Sequence, residues 1–105
     1  LLSLKKRPSA IFALTDVTAV GVMHAAAEMG LRIPHDLSLI GYDDITFASY
    51  TVPQLTTVAQ PFNEMGITAV DLLLKQIESP EDTPSKAVLP TRLVVRSSTA
   101  PLART

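Results

Sequence analysis

Apolar positions along the chain fall into short blocks separated by polar turns, and the spacing inside each block predicts an element. Ala10 to Leu14 is an unbroken apolar run, short enough to be a strand buried on both faces. Thr15-Asp16 interrupts it. Val17 to Met29 then carries Ala19, Val20, Val22, Met23, Ala25, Ala26 and Ala27, a helix by propensity that is apolar almost all round and so needs cover on more than one side. Thr18 and the i, i+4 pair His24 and Glu28 are its exposed candidates. Gly30 is placed to end it as a left-handed cap, and Pro34 prevents a restart. Leu37 to Gly41 reads as a second strand, and strand, helix and strand together make a crossover unit with a parallel pair.

Ile45 to Pro53 is too polar and interrupted for a long element. Leu55 to Gln60, rich in Thr and Val, reads as a third strand. Pro61 suits the first position of a helix, in which Phe62, Gly66, Ala69, Leu73 and Ile77 form one apolar stripe. Ser79 to Lys86 is a loop. Ala87 to Arg96 reads as an edge strand, because Pro90 removes a ladder donor. At the start, Leu1-Leu2-Ser3-Leu4 followed by Lys5-Lys6-Arg7-Pro8 reads as the last turns of a helix, with cations on the negative end of its dipole. The reading is an α/β fold with a mostly parallel sheet.

Composition narrows the class. Of the 105 residues 47% are hydrophobic and 18% charged, with a net charge of −1, which describes a soluble chain that packs a core rather than a disordered one. Near-neutrality argues against these residues gripping a phosphate backbone themselves. No cysteine is present, which excludes a disulfide scaffold and thiolate metal sites. No apolar run approaches the roughly 18 residues of a membrane span.

In an open parallel sheet, ligands bind beyond the carboxyl ends of the strands. Those exits carry Thr15-Asp16, Tyr42-Asp43-Asp44 and Gln60, a set of carboxylates, hydroxyl and amide that suits a neutral, hydroxyl- or amine-bearing small molecule and would repel a phosphate. Each residue also has a plainer role. Either Asp16 or Thr15 can cap the helix, Asp43 and Asp44 can shape a turn, and His24 and His35 read as surface residues. No Gly-rich phosphate loop, nucleophile elbow or metal-spaced histidine pair stands in the sequence, so no catalytic constellation emerges.

Arg7-Pro8-Ser9-Ala10-Ile11-Phe12, Thr15-Asp16 entering an Ala-rich helix, and Gly30-Leu31-Arg32-Ile33-Pro34-His35-Asp36-Leu37-Ser38-Leu39-Ile40-Gly41-Tyr42-Asp43-Asp44 resemble the lactose-repressor (LacI/GalR) family of bacterial transcription regulators. Pro53-Gln54-Leu55-Thr56-Thr57-Val58-Ala59-Gln60-Pro61, Met65-Gly66 and Leu89-Pro90-Thr91-Arg92-Leu93-Val94-Val95-Arg96-Ser97-Ser98 continue the resemblance in order. It implies the C-terminal part of a three-layer, parallel-sheet effector-binding domain of the periplasmic-binding-protein type. Residues 1–60 would belong to the C-terminal subdomain, 61–90 would cross to the N-terminal subdomain, and 91–105 would form the closing strand and tail. The DNA-binding headpiece lies outside this chain.

By the same resemblance Asp43 matches the acid that bonds sugar hydroxyls or a purine edge, Gln60 a cleft-facing position and Phe62 an apolar wall. The family's usual Asn before the helix Asp is Thr15 here, which offers one hydroxyl in place of an amide. Val20, Met23 and Ala27 on the apolar helix, with Tyr50, match the dimer face. The implied protein is a cytoplasmic, non-enzymatic, homodimeric repressor without cofactor or membrane contact. It senses a sugar or purine-like effector and meets operator DNA through the headpiece. A periplasmic sugar-binding protein of a transporter is the alternative, and the apolar helix speaks against it.

Overall fold

A computed structural model describes residues 1–102; the last positions of the predicted tail, 103–105, lie outside the described residues. Four strands form one sheet in the order β1 (Ala10–Phe12), β2 (Ser38–Asp43), β3 (Thr56–Ala59), β4 (Arg92–Val94). The pairs β1–β2 and β2–β3 are parallel, and β4 runs antiparallel to β3. The chain divides into two compact units, one made of Leu1–Ala59 with the chain from Arg92 on, the other of Gln60–Thr91.

In the first unit, helix α1 (Asp16–Glu28) connects β1 to β2 and packs on β2. Thr15 caps it by accepting the Thr18 N–H on its hydroxyl at 3.1 Å, which fills one of the donor vacancies of a first turn. At the other end Gly30 has φ +68°. The Gly30 N–H reaches the Ala27 carbonyl at 3.1 Å and the Leu31 N–H reaches Ala26 at 2.8 Å, the paired bonds of a Schellman stop. The cap predicted at Gly30 is therefore present.

The core consists of Ala13, Ala19, Leu39, Ala48 and Leu55, with Ile11, Val22, Met23, Ile33 and Ile45 packed around it. Along β2 the burial alternates, Leu39 and Gly41 being buried and Ile40 and Tyr42 half-buried. Beyond the last ladder pair, the buried Ser98 hydroxyl donates to the Leu39 carbonyl at 2.6 Å and accepts the Thr56 N–H at 2.8 Å. The returning chain thus stitches β2 to β3.

Several sequence expectations need correction. Residues 2–6 form turns and bends, with the Leu4 N–H on the Leu1 carbonyl at 3.3 Å, rather than the end of a helix. One bond of this kind does not repay the ordering of a helical turn. The first strand is not buried on both faces: it lies at the sheet edge, and Phe12 and Leu14 are 65% and 87% exposed, because α1 covers the face that holds Ile11 and Ala13. The last strand shrinks from Ala87–Arg96 to Arg92–Val94 since β3 offers register partners only from Thr57 to Ala59. Helix α1 begins at Asp16 rather than Val17, and Pro61 occupies the cap of the next helix instead of its first position.

The second unit contains helix α2 (Phe62–Glu78) and the loop that follows. The predicted stripe positions Phe62, Leu73 and Ile77 all lie on this helix and remain exposed.

Candidate functional site

The carboxyl end of the central strand β2 is held in an uncommon backbone conformation. Asp43 is its last residue, paired across the ladder with Ala59, and it has φ +120°; Asp44 follows at φ +58°. Consecutive non-glycine residues in this half of conformational space are uncommon, and each costs on the order of 1–3 kcal/mol. Asp43 is half-buried. The Asp44 carboxylate accepts from Nη2 of Arg96 at 2.7 Å, and Nη1 of the same guanidinium donates to the Leu55 carbonyl at 2.9 Å.

Beneath this turn lies Asp16, which has no solvent exposure. Its Oδ1 accepts the Thr57 hydroxyl at 2.5 Å and its Oδ2 accepts the Ile45 N–H at 2.8 Å. Of the two cap candidates Thr15 takes the cap, and Asp16 instead ties α1 to β3 and to the turn after Asp43–Asp44. Gly41 makes the approach feasible, since a Cβ there would run into the Asp16 carboxylate and lie 2.9 Å from a Leu55 methyl. Gly41→Ala is expected to lower unfolding free energy by about 1–3 kcal/mol, as overpacking does, and urea denaturation measures it.

Thr15 and Asp43 flank this network, one preceding Asp16 and the other two residues before Ile45. The Thr15 hydroxyl accepts from the Thr18 backbone N–H and shares a 2.9 Å hydrogen bond with the Thr18 hydroxyl, in which either oxygen can donate. Tyr42 and Phe12 pack with ring centres 6.5 Å apart. With Ala13 and Leu14 they line an apolar hollow of about 300 Å³, a feature the sequence reading did not single out. Gln60, half-buried, and Phe62, 53% exposed, open the second unit.

Of the residues matched to a dimer face, Ala27 and Tyr50 are exposed, Val20 is half-buried, and Met23 packs against the core. His24 and Glu28 pair on the helix surface at 3.5 Å, as their spacing predicted. Away from these elements, Arg32 holds Asp36 through Nε at 3.0 Å, Nη2 at 3.2 Å and its backbone N–H at 2.8 Å. The guanidinium hydrogen bonds lower the Asp36 carboxyl from 3.8 to about 2. A depressed acid contributes stability above its unfolded value, and that contribution disappears as pH falls through the folded one. Carbon-detected NMR titration is expected to find the Asp36 midpoint near 2, returning toward the ordinary value in Arg32→Ala.

Among the described residues no cluster of His, Asp and Glu is placed to hold a metal ion, and no helix is long and apolar enough to cross a membrane.

Residues 1–99 match the periplasmic binding protein-like domain. The chain is 45% identical over 98 residues to the ribose operon repressor of Haemophilus influenzae, covering 93% of this chain and 30% of that protein. A LacI family transcriptional regulator from Enterococcus faecium, solved with bound ribose, superposes with a TM-score of 0.83 at 44% identity over 93% of this chain and 37% of the other. The lac repressor dimer bound to operator and the anti-inducer ONPF gives 0.79 at 40% identity, over 88% of this chain and 32% of the other. The chain thus spans about a third of the length of the relatives it matches. With its parallel strands and crossover helix, the chain belongs to the periplasmic binding protein-like family, within the effector-binding domains of LacI-type regulators.

Proposed function

We propose that this chain is the C-terminal part of the effector-sensing and dimerising domain of a LacI-type transcriptional repressor whose effector is a ribose-like sugar. The observation that carries the reading is Asp43, an acid held at positive φ at the carboxyl end of the central parallel strand, where open α/β sheets place their ligands. Its carboxylate accepts hydrogen bonds from sugar hydroxyls. The Thr15 hydroxyl, at the exit of β1, orients the sugar. A ribose operon repressor and a ribose-bound regulator among the relatives support the choice of sugar.

We assign 61–90 to the crossing to the N-terminal subdomain and 91–105 to the closing strand and tail, a reading supported by the division of the chain at Gln60 and Arg92. Binding works by linkage: the sugar favours one closure state of the cleft, and operator affinity follows that state. The protein acts in the cytoplasm as a homodimer, reaches operator DNA through its headpiece, and catalyses no reaction. The transporter receptor is the weaker reading, because the named relatives are regulators.

The test uses the full-length protein on DNA from its own promoter region. Calorimetric binding of D-ribose together with a sugar-dependent change in DNA retention supports the reading; ribose binding without any DNA response overturns the regulator, and no binding overturns the sugar. Val20, Met23, Ala27 and Tyr50 form the dimer face. Placing a charge on an exposed apolar contact of this kind, as in Ala27→Asp or Tyr50→Asp, is expected to weaken self-association by at least about 2 kcal/mol, the scale of an interface hot spot. Sedimentation equilibrium then shows monomer where the unmodified protein is a dimer.

A further inference from the structure

A non-glycine residue stays at positive φ only where its surroundings over-determine it, and two stretches of chain distant in sequence converge on the turn that holds Asp43 and Asp44. From the start of α1, Asp16 accepts the N–H of Ile45 while anchored by the Thr57 hydroxyl. From beyond β4, Arg96 donates to the Asp44 carboxylate and to the Leu55 carbonyl. Its own N–H is fixed on the Thr56 hydroxyl at 2.9 Å, so the backbone from which the guanidinium springs is held as well. The Arg96–Asp44 pair is only about a fifth exposed, at 18% and 22%, and is less screened than an open surface pair.

We propose that Asp16 and Arg96 are positioning residues of the effector site, which clamp the Asp43–Asp44 turn in its left-handed conformation and so hold the Asp43 carboxylate where the sugar meets it. The proposal rests on the reading of Asp43 as the effector-binding acid. Asp16 has no exposed surface through which to touch a ligand, so any effect it has on affinity travels through the turn. A preorganised acceptor binds without first being ordered, and releasing it lowers affinity with no contact removed.

Arg96→Met and Asp44→Asn in the full-length protein are each expected to weaken D-ribose binding by about tenfold. The double variant weakens it no further than Arg96→Met alone, because that change already removes the contact with Asp44 along with the bond to the Leu55 carbonyl. Melting curves taken alongside show that the variants are folded at the assay temperature. Asp16→Asn, which keeps the size but not both acceptors, is the second variant, and is expected to weaken ribose binding and to speed amide exchange at Ile45.

The sugar-free crystal structure of Arg96→Met is expected to show Asp43 or Asp44 leaving positive φ; an unchanged turn overturns the clamp. Ribose affinity within about twofold of the unmodified protein in folded Arg96→Met also overturns it. Asp43→Ala separates the two levels of failure. If it abolishes ribose binding while the clamp variants leave affinity intact, only the clamp falls. If it binds ribose normally, or if the unmodified protein takes no ribose, the reading of the site falls and the clamp with it.

Discussion

Asp16→Ala is expected to remove about 2–6 kcal/mol of unfolding free energy, because it leaves the Thr57 hydroxyl and the Ile45 N–H without their acceptor and each buried orphan costs about 1–3 kcal/mol. The carboxylate accepts at 2.5 Å and 2.8 Å from these two donors and is wholly buried. Its place in the first turn of α1 adds the favourable end of the helix dipole. A loss of this size is a large part of the roughly 5–15 kcal/mol that holds a domain together. Asp16→Asn keeps one acceptor, and its amide can donate to Thr57 in return, so it is expected to cost less than half as much. Urea denaturation of both variants checks the ordering. If Asp16→Ala unfolds at the same urea concentration as the unmodified protein, the network is not what holds α1 to β3.

The second large effect concerns ligand binding rather than stability. Asp43→Ala is expected to weaken D-ribose binding by about 100-fold or more, the upper end of losing one hydrogen bond to a charged acceptor at about 1.5–3 kcal/mol. The sugar-dependent DNA response should vanish with it, while the melting temperature changes by a few degrees at most. Asp43 is half-buried at a strand end and makes no part of the apolar core; alanine enters the positive-φ region less readily than aspartate, and that accounts for the few degrees. Asp43→Asn retains an acceptor of similar shape and falls between the two. Calorimetry with the sugar and a thermal melt on the same preparation decide it: a variant that still responds to ribose removes Asp43 from the site.

From Ala10 onward the order of the strands and the two long helices was legible from the chain, because each carried its own local signal, whereas the helix end expected before Pro8 is a run of turns and bends. Gly30 could end α1 and Pro34 could prevent its restart wherever the helix docked, and the short apolar runs around a helical block left a parallel pair as the economical arrangement. The same logic put chemistry at the strand exits. It could not rank the acids found there. Asp16, Asp43 and Asp44 are alike to any local rule, yet one is buried beneath two hydrogen bonds, one is paired with Arg96, and one ends the central strand at positive φ.

Arg96 left no local sign of its role. The contact spans 52 positions of sequence, and nothing near Arg96 distinguishes it from an ordinary charged residue at a strand end. Thr57 gave a faint one, since a threonine buried in a strand must find a partner for its hydroxyl, as both Thr56 and Thr57 do here. What sequence by itself determined about this protein is most of its elements, the parallel pairing of the first three strands and the family to which the motifs belong, because propensity, caps and period act over a few residues. Only the tertiary structure decided which acid is structural and which is presented, because burial and long-range hydrogen bonds depend on segments that meet only when the chain folds.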